Sequence, residues 1–580
     1  MTRLLRDVQM PMRDGTVLLG DVYLPDGDGP WPALLERTPY NKESSSEIAL
    51  RSNELYPERG YAIVVQDVRG RFKSAGDFYP FRDDGWGPNR DGYDTIEWIA
   101  AQGWCDGKVG TIGGSYSGVT QYRMLPTRPP HLVAQFVRES SSDYHREWTY
   151  RGGALEVGFA MHWALRVTLS NITHPSMAGP GSPRHARLEE LQGRLRAADA
   201  EAASWLRYRP QHPHPLLTGL SDWYNQWLEH PDEDAYWWET ALALHHHEVD
   251  TPVWHLGGWF DSFLRGTLVN YQGIAERGMP NARRNQKLIV GPWIHGPTNI
   301  DKRVVGEIDY GPAAGIDIHE LRLGWFDHWL KGVKNEVMDE PPVRVFTMGS
   351  NKWQSLPAWP APDVRYERWY LAGARSGTAA SPNDGSLAKE LPPPLDAPDS
   401  YLFDPDEPVT AYGGGWLSYN GDRTGGYDQR PIEGQVLTYT SAPLERDLEA
   451  TGPIAATLQI MSSAPDTDFV VRLCDVYPDG LSRLVADGVL RARYRRSLQH
   501  AEPLTPNRVE EVTVDLWASS NLFRAGHRVR VHVTSSCWPR WDVNTNTGGP
   551  MFREAQAQVA LNTVFHDAFR PSYITLPVRG

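Results

Sequence analysis

A serine on a glycine-rich turn, followed in chain order by an aspartate and a histidine that each close an apolar run, is the set of residues best able to do chemistry. Gly113-Gly114-Ser115-Tyr116-Ser117-Gly118 sits where a short run, Lys108 to Ile112, gives way to the helix-compatible stretch Val119 to Met124. Strand, sharp turn with serine, helix is the outline of a nucleophile elbow. The tight turn forces strained backbone onto the nucleophile, and its neighbours must be small so that strand and helix can approach. Gly113, Ser117 and Gly118 meet that need, although the strict pattern would place glycine at position 117. Taken alone, the hexapeptide also reads as an ordinary Gly/Ser strand-to-helix turn.

A serine nucleophile needs a base to take its proton and a carboxylate to orient the base, supplied in α/β-hydrolases in the order Ser, Asp or Glu, His. Thr251 to Gly258 reads as a buried strand, and Asp261 follows Trp259-Phe260 on the loop at its end. That is the carboxyl edge of a sheet, where open α/β folds keep their sites. Lys287 to Val290 reads as a second short strand, after which His295 lies on a loop bracketed by glycine and proline. One oxyanion donor comes with the elbow, the backbone N–H of Tyr116. A second has to come from the loop after the strand Trp31 to Arg37. That loop, Thr38 to Lys42, has no glycine and offers the Tyr40 phenol, which is equally suited to structural burial with one hydrogen bond.

The elements that must position these residues fit the same reading. Short strands at Thr16 to Leu24, Ala33 to Arg37, Tyr61 to Gln66 and Val109 to Ile112 alternate with helical patterns such as Tyr93 to Gln102, which predicts a mostly parallel sheet covered by helices. Leu188 to Arg207 is rich in helix formers and reads as part of an inserted helical cap. The sheet resumes near Pro252 and ends with the amphipathic stretch Leu321 to Val333. Beyond about 355, proline- and glycine-rich punctuation separates alternating strands such as Val512 to Leu516 and Val529 to Val533, the pattern of a β-sandwich. The expected organisation is an α/β-hydrolase domain in two parts, 1–143 and 248–354, with a helical cap at 144–247 and a β-sandwich at 355–580.

At 580 residues the chain is too long for one hydrophobic core. A net charge of −14 argues against a nucleic-acid partner, since phosphate binding needs a basic stripe. The arginines between Arg491 and Arg496 are too local for one and read as a solvated strand face or a domain contact. Cys105, Cys474 and Cys537 are odd in number and far apart, so no disulfide framework is implied. The N-terminal residues lack the apolar run of a signal peptide, and no run reaches the length of a membrane span, which leads to the expectation of a cytoplasmic enzyme with no membrane partner. A homodimer stays open.

Other features have plainer readings. His245-His246-His247-Glu248 cannot aim all its side chains at one ion, and Asp26-Gly27-Asp28-Gly29 lacks the spacing of a calcium loop and reads as a hairpin turn. Asp67 to Arg71 follows a strand and reads as a structural ion pair near the floor of the site. The 23 tryptophans read as core and interdomain packing rather than a glycan-binding face.

The segments RTPYNK, DVRGRFKSAGDF, DGYDTIEWIAAQGWCDGKVG, GGSYSG, GGWFDSF and GPWIHG, with DQRPI, DTDFVVRLCDVYPDG and SSCWPRWDVNTNTGG further on, resemble in order the bacterial cocaine esterase type of serine hydrolase. That group is related to the X-Pro dipeptidyl-peptidases and the α-amino-acid ester hydrolases. The resemblance covers nearly the whole chain. It implies a triad of Ser115, Asp261 and His295, an oxyanion hole from the Tyr116 N–H and the Tyr40 hydroxyl, a jelly-roll form for the sandwich, and Trp148, Trp163, Phe263 and Leu417 as acyl-pocket walls. It also implies hydrolysis of small esters with aromatic or hydrophobic acyl groups through an acyl-enzyme, with no metal or organic cofactor.

In the α-amino-acid ester hydrolases and X-Pro dipeptidyl-peptidases a carboxylate cluster grips the substrate ammonium. Here Val119-Thr120-Gln121 after the elbow has no acid, whereas Asp143, Glu147 and Glu156 keep that alternative, or a β-lactam acylase, open. A binding module with an idle hydrolase half is the non-enzyme alternative, against which an ordered triad weighs.

Overall fold

A computed structural model describes residues 2–43, 55–173, 201–417 and 423–580, together with 189, 190, 193, 196 and 197. Ten strands form its first sheet: β1 (Arg3–Pro11), β2 (Val17–Leu24), β3 (Trp31–Thr38), β4 (Ala62–Asp67), β5 (Cys105–Gly114), β6 (Leu132–Arg138), β7 (Val253–Phe260), β8 (Gln286–Ile294), β9 (Val343–Thr347) and β10 (Lys352–Leu356). They lie in the order β1-β2-β4-β3-β5-β6-β7-β8-β9-β10. The strands from β4 through β9 run parallel to their neighbours, while β1, β2 and β10 are antiparallel additions at the edges.

Parallel strands covered on both faces read as continuous apolar runs rather than alternating ones, and every residue of β4 and β7 is buried accordingly. One face carries α1 (Asp91–Ala100) and α2 (Tyr116–Met124), whose Ile96, Ile99, Tyr122 and Met124 pack with Leu35, Val64 and Val109. In the same apolar cluster is Ile274 of a later helix, Leu264–Arg277. The other face carries Ile318–Lys331, whose Leu323, Trp325, Phe326 and Leu330 meet Ile63, Ile112, Phe136 and Leu256.

Two strands run further than the sequence suggests, with consequences for the site. β7 continues through Trp259-Phe260 and β8 through Gly291 to Ile294, so Asp261 and His295 each directly follow the last residue of a strand. The glycines that look like strand ends permit close approach instead. A Cβ on Gly258 would come within 2.3 Å of the Trp293 carbonyl oxygen, and one on Gly291 within 2.4 Å of the Trp293 ring.

Between β6 and β7 the chain is mainly helical, with α3 (Val157–Thr173) and the shorter helices Ala202–Leu206, Asp222–Glu229 and Ala235–Trp238. Eight of the twenty residues in the helix-former stretch from Leu188 to Arg207 lie outside the described residues. Trp148, Trp163, Trp223, Trp227 and Trp237 pack with Phe81 and Phe159 in one cluster, so these tryptophans are core, as their size and amphipathic rings favour.

The C-terminal half is an eleven-stranded, mostly antiparallel arrangement. Its longest strand, Leu448–Ser462, pairs with Glu510–Phe523, which contains the expected strand Val512 to Leu516, and with Tyr573–Arg579. The expected strand Val529 to Val533 lies within Arg528–Thr534.

One expectation is corrected and two are made specific. Asp26 to Gly29 is no hairpin turn, because β2 pairs with β1 and β4 while β3 lies beyond β4. Of the two readings of the arginines from 491 to 496, the domain contact is the one Arg491 and Arg493 meet, while Arg496 is exposed. Arg491 is buried against Asp468 (2.9 Å) and Asp542 (3.0 Å), its amide donates to Gly152, Arg493 pairs with Asp466 (2.7 Å), and the Tyr494 hydroxyl donates to Asp232 (2.7 Å). The segment therefore ties the β-rich half to the helical insertion. Finally, the structural ion pairs of the Asp67 to Arg71 segment are made by Arg69, with Asp91 and Asp14 (2.7 Å each).

The histidines at 245–247 are used separately. His245 Nδ1 meets Glu248 (2.8 Å) and His246 Nε2 meets Asn270 (2.9 Å), so they do not converge. All three cysteines are buried free thiols, and among the described residues no helix is long and apolar enough to cross a membrane.

Candidate active site

Ser115 joins β5 to α2 with φ 57° and ψ −124°, a left-handed conformation that a non-glycine residue adopts at some cost. The turn around it is over-determined. The Ser115 amide donates to the carbonyls of Arg138 and Glu139 (3.1 Å each), and its own carbonyl accepts from Gly118 N, Val119 N and Ser140 Oγ. Within residues 111–120 Ser115 alone is not fully buried, so the turn presents this one side chain.

The departure from the strict elbow pattern has a local explanation. Gly113 has φ 135°, and a Cβ there would stand 2.5 Å from the Ser117 Cβ. The missing side chain at 113 thus makes room for the one at 117. Gly113→Ala should accordingly lower stability by about 1–3 kcal/mol and reduce turnover with it. A wild-type melting temperature in calorimetry would refute this account of the turn.

His295, with a side chain about 10% exposed, is oriented from behind by Asp261, which is fully buried: Nδ1 to Oδ1 is 2.7 Å. The ring of Phe263 stands edge-on to the imidazole, 5.2 Å between centroids. A second buried carboxylate lies alongside. Glu139 Oε2 is 3.5 Å from His295 Nδ1, accepts the Gly296 N–H at 2.8 Å and pairs with Arg138. Burial pushes the Glu139 carboxyl above the ordinary range, while Arg138 opposes the shift and Asp261 adds to it. Glu139 went unnoticed in the sequence. The available signal was an Arg-Glu pair at the carboxyl end of the strand beside the elbow strand, where α/β sheets place functional groups.

Tyr40 lies beyond β3, beside the elbow. Its hydroxyl accepts the indole N–H of Trp163 at 3.0 Å and neighbours the Ser115 side chain. Indole nitrogen donates only, so Tyr40 must be the acceptor in that bond, and the phenolic proton remains available to a second partner. Burial raises the Tyr40 pKa, which keeps the phenol protonated.

The loop carrying Tyr40 is fixed by Arg71, whose guanidinium donates to Pro39 O (2.8 Å), Val167 O (2.8 Å) and Ser170 Oγ (2.9 Å). On its other side the Lys42 amide donates to Asp67 (2.8 Å) and the buried Lys42 ammonium pairs with Asp21 (2.7 Å). Tyr116 is the first residue of α2, where backbone N–H groups have no intrahelical acceptor. Its phenol oxygen accepts the Phe81 amide at 3.0 Å, which holds the side chain clear of the elbow.

Sequence and structure comparisons identify the family. Residues 14–297 match the family model X-Pro dipeptidyl-peptidase (S15 family), and residues 335–575 match the X-Pro dipeptidyl-peptidase C-terminal non-catalytic domain. Cocaine esterase of Rhodococcus sp. (strain MB1 Bresler) is 36% identical over 99% of this chain and 98% of its own length. The chain belongs to the S15 family. An α-amino acid ester hydrolase superposes with a TM-score of 0.79 at 28% identity, covering 100% of this chain and 97% of its own. An aminopeptidase from a marine sediment Thaumarchaeota archaeon does so with 0.81 at 26% identity, covering 100% and 96%. As an S15 protein with serine esterase relatives, this chain is a serine hydrolase.

Within this S15 fold the four expected wall residues gather around the elbow. Trp148, Trp163 and Phe263 belong to one apolar cluster with Tyr116, and the half-buried Leu417 and Tyr40 pack against it. Trp148 stacks on Phe263, 4.7 Å between centroids, and Trp163 lies 6.1 Å from the Tyr116 ring. Trp148 and Phe263 have no exposed surface, so the walls are closed on one another.

The three acids that could grip an ammonium are committed elsewhere. Glu147 accepts the Ser142 and Asp143 amides and pairs with Arg265 (2.7 Å). Glu156 holds Arg151 (2.7 Å) and accepts the Trp541 indole N–H (3.0 Å). Asp143 accepts the His145 and Arg146 amides, and burial pushes its pKa up to about 7.

Proposed function

We propose that this S15 hydrolase cleaves neutral small-molecule carboxylic esters with aromatic or hydrophobic acyl groups, through an acyl-enzyme on Ser115. His295 takes the Ser115 proton as the oxygen attacks the ester carbonyl, and Asp261 holds the imidazole with Nε2 facing the nucleophile. The Tyr116 N–H and the Tyr40 O–H donate to the oxyanion that forms. The protonated His295 then gives its proton to the departing alcohol, and a water activated by the same imidazole releases the acid. Trp163 and Leu417 form the acyl wall, with the stacked pair of Trp148 and Phe263 packed behind it. Three buried reduced cysteines suit a cytoplasmic setting.

The observation that carries the substrate class is the engagement of Asp143, Glu147 and Glu156 in internal bonds, against an apolar aromatic wall. An ammonium brought into such a wall would lose its hydration with no carboxylate in exchange. Neutral aryl and short acyl esters should therefore be hydrolysed at least as well as the matching α-amino esters, and X-Pro dipeptide amides poorly. Side-by-side kcat/KM values test this. A preference of roughly a hundredfold for the α-ammonium substrate, about 2.7 kcal/mol, would overturn the ester reading.

A further inference from the structure

Two carboxylates, not one, flank the candidate base. Glu139 sits on the strand end between the elbow and the histidine loop and touches both. Its carbonyl oxygen accepts the Ser115 amide (3.1 Å), its amide donates to Leu256 O (2.7 Å), and its carboxylate accepts the Gly296 N–H (2.8 Å) while facing His295 Nδ1 at 3.5 Å. Glu139 has φ 45°, so the backbone is bent to aim this side chain back towards β8. The carboxylate is fully buried, and its Oε1, like Asp261 Oδ2, has no hydrogen-bond partner among the described residues. A buried carboxylate is costly unless it is paired, and Arg138 is the pairing cation.

We propose that Glu139 is a positioning residue for His295, acting with Asp261 as a second carboxylate that fixes the imidazole loop and stabilises the imidazolium formed when Ser115 attacks. The proposal rests on the Ser115–His295 reading above. The charges facing the imidazole are Asp261 from the end of β7 and Glu139 with Arg138 from the end of β6. With a neutral imidazole these sum to minus one, and proton transfer from Ser115 brings the cluster to neutrality. The state reached in the transition state is therefore the electrostatically balanced one, a preorganisation that lowers the barrier to proton transfer.

The carboxylate can be tested apart from the backbone, because the contact to the Ser115 amide is made by the main chain and survives side-chain substitution. Glu139→Gln keeps the shape and an acceptor for Gly296 but removes the charge. With a 4-nitrophenyl ester, kcat should fall about tenfold or more with KM little changed. The acidic limb of the kcat/KM profile should move to lower pH by about one unit, since a lost neighbouring negative charge makes the protonated base less favourable. Glu139→Asp retains the charge and should leave the limb within about 0.3 unit of wild type while kcat falls several-fold, and it carries the test if the Gln variant does not fold.

A folded Glu139→Gln enzyme with kcat within threefold of wild type and an unmoved acidic limb would overturn the proposal. So would Glu139→Asp with full kcat. Stoichiometric labelling of wild-type Ser115 by a fluorophosphonate, read by intact mass, separates the two levels. If Ser115 is not labelled, the triad reading itself has failed; if it is labelled and the Glu139 variants behave as wild type, only the role of Glu139 has.

Discussion

Ser115→Ala and His295→Ala should each reduce ester turnover by about a thousandfold or more while leaving the circular dichroism spectrum and melting temperature close to wild type. The size follows from the unit character of a nucleophile and its base. Without the Ser115 oxygen no acyl-enzyme forms, and without the imidazole the hydroxyl stays protonated. Residual catalysis from binding and oxyanion stabilisation would be common to both variants, so the double variant should be little worse than either single one. Near-normal hydrolysis of 4-nitrophenyl esters by Ser115→Ala would show that the elbow is an ordinary strand-to-helix turn. The strained φ of 57° would then need another explanation.

Tyr40→Phe should lower kcat by roughly a hundredfold, about 2.7 kcal/mol, with little change in KM. The phenolic proton is not used in the bond to Trp163, in which Tyr40 is the acceptor, so it can follow the charge that develops on the carbonyl oxygen. That bond strengthens on the way to the transition state, which is why the loss falls on kcat. The variant also leaves the Trp163 indole N–H without its acceptor, at a stability cost of about 1–3 kcal/mol. Trp163→Phe separates the two effects. It removes the donor but keeps the phenol, and should retain much more of kcat than Tyr40→Phe. A Tyr40→Phe enzyme with kcat within about threefold of wild type would remove Tyr40 from the mechanism.

What could be read from the chain was what local turn chemistry and strand periodicity encode. The elbow glycines, the strands of the central sheet and the serine, aspartate, histidine order are all properties of short segments. The ends of β7 and β8 were misjudged for a related reason. Gly257-Gly258 and Gly291-Pro292 resemble breaks, yet Gly258 and Gly291 are there for the Trp293 backbone and ring to pass, a demand made by tertiary packing. Glu139 was invisible for the same cause, since its importance lies in its distance to a residue 156 positions away in sequence. The sequence alone does not choose between a solvated face and a domain contact for the arginines at 491 and 493, because their acidic partners Asp466, Asp468 and Asp542 approach only in the folded chain. Resemblance to a known family supplied what residue spacing left open at Tyr40 and at the acyl wall.

The two contacts that hold the Tyr40 loop against α3 also set how the enzyme should fail on heating. Arg71 reaches Val167 and Ser170, and Trp163 reaches the Tyr40 hydroxyl, so both tethers end on the same helix of the insertion. The elbow and its histidine, by contrast, hang from the central parallel strands, among the most deeply packed elements of the molecule. Partial detachment of α3 would therefore scatter one oxyanion donor while the nucleophile keeps its place. Inactivation would then precede global melting and reverse on cooling, with Ser115 still open to a small phosphonylating reagent in the inactive form.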